Sequence, residues 1–75
     1  MIRETFRAHR HTAVRALIAA RDAAQDGNVR KVELFMGLAH AELEVMRCLL
    51  PLLDLEWRHD VVVRRQLSTL ERWCI

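Results

Sequence analysis

Apolar positions recur at steps of three and four residues in three stretches of the chain, the spacing of a helix face. In the first stretch Phe6, Ala13, Leu17, Ala20 and Ala24 form a stripe flanked by Ile2, Val14 and Ala16. No glycine or proline interrupts it, so a helix is predicted over 3–25. "QDGN" follows. Gly27 suits the left-handed residue that closes a helix, Asn28 suits the cap that opens the next, and Asp26 is a turn former. The chain should reverse tightly here, as in an antiparallel helical hairpin.

A second helix is predicted over 29–50. Pro51 ends it, because proline lacks the N–H and disfavours helical angles at Leu50. A third helix is predicted over 52–73, with Asp54 as a candidate N-cap. Its stripe is Val63, Leu67, Leu70 and Cys74, led in by Leu52. The β-branched run "DVVVRR" leans towards a strand, but a lone strand has nothing to pair with. The expected fold class is all-α: an antiparallel helical hairpin extended by a third helix, a small helical bundle in one domain spanning 1–75, completed by dimerisation.

The second helix is apolar on two sides. One side carries Val32, Phe35, Met36, Ala39, Leu43, Met46 and Leu50. The other carries Leu34, Leu38, Ala41, Val45 and Leu49. Thin polar seams separate them, one of Glu33, His40 and Glu44, the other of Lys31 and Glu42. A helix apolar nearly all round must be covered nearly all round. Two neighbouring helices cover one side. Leu34, Leu38, Ala41, Val45 and Leu49 are therefore expected to meet a second copy or another protein, and Gly37 and Ala41 would permit a close approach there.

Size sharpens that expectation. A chain of 75 residues buries only about 60% of its unfolded surface. Domains this small usually add disulfides, a metal or a partner. Two cysteines, Cys48 and Cys74, make neither a disulfide framework nor a zinc-ligand spacing. "MIRETFRAHRH" has no uninterrupted apolar core and no small-residue cleavage site, and no apolar run approaches the ~18 residues of a membrane span. A cytoplasmic setting with reduced thiols and no membrane association is expected. Arginine supplies all but one of the 12 Lys and Arg residues. That skew fits a GC-rich coding sequence, hence a bacterial or phage origin.

Several short patterns invite a chemical reading and fail it. His40-x-Glu42 resembles half of a zinc deaminase signature, but P-C-x-x-C should follow, and Pro51 is followed by "LLDLEW". His40 and Glu44 share a helix face and could share a metal, yet two ligands close no site, and an ordinary surface hydrogen bond is the simpler role. His59-Asp60 is a two-letter match to metal phosphohydrolases that need several more ligands. His9 and His11 have a spacing that converges on a strand and diverges on a helix. The chain has no Gly-rich phosphate loop and no nucleophile motif. No catalytic residue, cofactor or metal is assigned, and the chain is expected not to be an enzyme.

Charge supplies the remaining candidates. Helix one carries Arg3, Arg7, Arg10, His11 and Arg15 against the single acid Glu4, and four of the five recur every four residues. Such a stripe can meet an acidic protein surface or nucleic-acid phosphates, or be solvated. The net charge of only +2 moderates the nucleic-acid case. Trp57 and Val61 fall away from the third helix's core stripe, with arginines nearby, a composition common at binding hot spots. The expected function is a small non-enzymatic interaction protein, an inhibitor, adaptor or co-chaperone that occupies a surface of a larger protein. A nucleic-acid-binding regulator using the first helix is the alternative.

Overall fold

A computed structural model describes residues 1–53 and 61–74. It is all-helical. Helix α1 spans Ile2–Gln25, α2 spans Val29–Leu49, and α3 spans Val61–Trp73, with a 3-10 turn at Leu50–Leu52. The first two pack along their length as an antiparallel hairpin, and α3 touches both only lightly.

Local chemistry accounts for the hairpin. Gly27 takes φ +72°, the left-handed value that β-carbons disfavour. The Gly27 N–H donates to the Ala24 carbonyl at 3.1 Å and the Asn28 N–H to the Ala23 carbonyl at 2.9 Å. This pair of bonds is a Schellman closure, which satisfies carbonyls the helix would otherwise leave open. Asn28 then opens α2, its side chain accepting from the Lys31 N–H at 3.2 Å. One residue thus ends the cap of α1 and begins that of α2.

The interface between α1 and α2 is built from small side chains on α1. Ala13, Ala16, Ala20 and Ala23 are buried, and Ala39 of α2 is fully so. Larger side chains gather towards the open end of the hairpin, where Phe6 and Met46 are the largest completely buried groups. Val63, Leu67 and Leu70 of α3, with Cys74 just after it, close over that end together with Leu53. The chain is therefore long and thin, 43 × 19 × 15 Å, with a radius of gyration of 13.2 Å. A compact chain of this length would have about 11 Å. The excess reflects a two-helix stem that α3 covers only in part.

Three expected positions shift. The third helix does not start at Leu52, which lies in the 3-10 turn forced by Pro51, and Leu53 is extended with ψ 152°. The Asp54 cap lies outside the described residues. Leu52 is exposed and Leu53 is buried in its place, because the tighter turn rotates the next side chain inwards. Near the hairpin turn, Ala23 is buried and Ala24 exposed. Both positions continue the stripe from Ala20, at +3 and +4, and the approach of α2 selects the first.

Candidate interaction site

The two sides of α2 differ as its polarity pattern predicts. Ala39, Leu43 and Met46 are buried against α1 and α3. On the other side Leu34 is 67% exposed, Leu38 43% and Val45 37%. Ala41 is exposed between them. Leu49, expected with this group, is half-buried and packs against the core. Gly37 has open space where a β-carbon would stand, so no described residue makes the close approach its size would allow.

The basic stripe of α1 does not stay together. Arg3 lies beside Leu52 and Leu53, and Arg3 and Arg7 each take part in an interaction within the chain. Arg10 is half-buried and shares a hollow with Arg65, Thr69 and Trp73 on the side that carries α3. His11 and Arg15 lie on the other side, where with Thr12 and Ala19 they border Phe35 and Leu38 of α2. The structure thus brings two of the five basic residues to the exposed apolar side of α2 and separates them from the rest. A four-residue repeat lags the 3.6-residue turn, and over three steps that drift moves a side chain around the helix.

His9 makes the polar contact that crosses the hairpin. Its Nδ1–H donates to the Glu42 carboxylate, with both side chains mostly buried. Neither residue was assigned a partner from spacing alone. Reflection of the chain about the Gly27 turn does bring His9 within a helical turn of Glu42, and that is the signal available in the sequence. Glu44 pairs with Arg47 on its own helix, and Arg47 Nε also lies 3.8 Å from Glu71 Oε1 of α3. His40 is exposed. Among the described residues no three His, Cys, Asp or Glu side chains are grouped to hold a metal. No helix of the described residues is long and apolar enough to cross a membrane.

The two cysteines are free, Cys48 exposed and Cys74 buried. Burial pushes the Cys74 thiol up from its usual value, and the Arg47 cation offsets part of that rise. Val61 is 69% exposed at the start of α3. Its expected companion Trp57 lies outside the described residues. The tryptophan the structure does place is Trp73, also largely exposed, at the end of an apolar groove between α1 and α2.

No family model matches this chain, and no curated protein or solved structure is significantly similar to it.

Proposed function

We propose that this chain is a small non-enzymatic interaction module, an inhibitor, adaptor or co-chaperone that acts by occupying a surface of a larger protein. The observation that carries the proposal is the uncovered side of α2, with Leu34, Leu38 and Val45 in one line and His11 and Arg15 along its edge. Apolar side chains in a row with an arginine along their edge are the composition of a docking face.

Magnitudes favour a larger partner over a second copy on this face. Each of the three side chains is already partly covered, so completing its burial is worth about 1 kcal/mol. Association costs at least ~4 kcal/mol in lost freedom. Three such side chains on each of two copies exceed that cost by little, and two like-charged edges oppose each other. A homodimer through this face is therefore weak, and a partner with apolar pockets and acids at the edge binds better. For phosphates the split stripe is a poor arrangement, since its cations point to two sides of α1.

The test is capture of a defined larger protein, identified by mass spectrometry, by wild type and by Leu38→Glu. Capture lost in the variant with helicity unchanged by circular dichroism supports the proposal. Capture that survives Leu38→Glu removes α2 from the reading. Salt-dependent binding to duplex DNA, lost in Arg15→Gln, would replace it with the nucleic-acid alternative.

A further inference from the structure

A second surface lies on the side of the hairpin that carries α3. Beyond the reach of α3's buried stripe, the stem opens into a groove of about 440 Å³ lined by apolar side chains, among them Leu17, Ile18, Val32 and Met36. Ile18 is 44% exposed and Trp73, at the groove's end, is 57% exposed. The charged side chain lining it is Arg21. Trp73 also lines a neighbouring hollow that holds Arg10 and Arg65, together with Val14 and Leu70.

The charge along this path has one sign. Arg10, Arg21 and Arg65 line it, and no carboxylate does among the described residues. Arg21 has a loose contact with the neighbouring Asp22 at 3.8 Å, with both side chains mostly in solvent. Arg10 and Arg65 are in no ion pair with a described residue. Cations next to exposed Trp and Ile, two of them in no ion pair with a described residue, present a surface complementary to acids carried on an apolar scaffold. The groove itself lies between the two long helices and is lined mainly by apolar side chains, a setting that can receive the ridge of a third helix, and the neighbouring hollow lies between α1 and α3.

We propose that this groove binds an acidic amphipathic helix of a partner protein. The helix's apolar residues fill the space between Ile18, Met36 and Trp73, and its carboxylates meet Arg10, Arg21 and Arg65. The surface is separate from the exposed side of α2 and stands on its own observations, so either can fail without the other.

The test is a selection from a pool of helical peptides that share a Leu/Ile face and carry Glu, Gln or Lys on the other. Wild-type protein is the bait, and binders are remeasured on Trp73→Ala and on Arg10→Glu/Arg65→Glu. The expected result is enrichment of Glu-bearing peptides, a tenfold or greater loss of affinity in each variant, and weakening with added salt. Helicity should be retained in both variants, and Arg10→Lys/Arg65→Lys should keep most of the binding. Enrichment of Gln or Lys peptides, no enrichment, or binding indifferent to Trp73→Ala would overturn the proposal. So would a sedimentation result in which wild type self-associates and Trp73→Ala does not, since a second copy would then be the occupant.

Discussion

Cys74 shows how a single side chain ties chemistry to stability. It ends the apolar stripe of α3 and is 4% exposed. Burial raises its thiol's pKa above the ordinary value of 9.0, against the smaller opposing pull of Arg47. Well below that value the thiol is protonated in both folded and unfolded chains and adds nothing to the pH dependence. Above it the unfolded chain releases a proton that the folded chain retains, so unfolding gains. Stability should therefore fall as pH rises from about 9 towards the folded pKa. Melting temperatures of wild type and Cys74→Ala across this range provide the check. The variant should start lower, having lost buried volume, and decline less steeply. Parallel curves would show that burial does not perturb the thiol. Arg47→Gln removes the opposing cation and should steepen the decline.

At the scale of the element, the turn shows what a sequence makes legible. Gly27 and Asn28 perform the roles their chemistry suits, because a cap is decided by a few residues that touch each other. Replacing Gly27 by Ala meets no steric obstacle among the described residues, since beyond its chain neighbours none lies within 4 Å of the added β-carbon. Its cost is then conformational alone, about 1–2 kcal/mol for a left-handed non-glycine residue. Chemical denaturation should show that loss with an unchanged slope, and Asn at this position should recover part of it. A loss well above this range would mean that the turn carries packing too. The core stripes of α1 and α3 were legible for a related reason: periodicity marks a face whatever covers it. Where two positions fit the period equally, as Ala23 and Ala24 do, only the partner helix decides. Leu52 and Leu53 exchange roles because a 3-10 turn breaks the phase on which the reading depends. The candidate site was legible on α2, where polarity divides the helix lengthwise. It was not legible at Trp73, Ile18 and Arg21, which come together only because α3 stops short of covering the stem.

For the whole molecule, uneven coverage sets the order in which the parts come apart. The hairpin holds a continuous interface with the His9–Glu42 contact across it. Helix α3 adds Val63, Leu67 and Leu70 at one end, with Cys74 just beyond it, and the described ion pair joining it to α2 is the exposed Arg47–Glu71 contact. Such a pair is worth under about 1 kcal/mol, so apolar burial holds α3 in place. Native-state hydrogen exchange should then divide the chain. Amides over Ala13–Ala20 and Ala39–Met46 should open only with global unfolding, and those of Val61–Trp73 through a smaller, less denaturant-sensitive opening. Leu67→Ala, which removes about 2–4 kcal/mol of packing, should speed exchange in α3 far more than in the hairpin. Arg47→Ala should change it little. Equal opening energies in α3 and the stem would refute this order. Because Trp73 belongs to α3 and lines the groove, a ligand held there binds only the closed form. Saturating wild type with a Glu-bearing peptide should therefore slow exchange over Val61–Trp73 selectively. If the peptide binds and α3 exchanges as before, the groove is formed by the stem alone and Trp73 is a bystander.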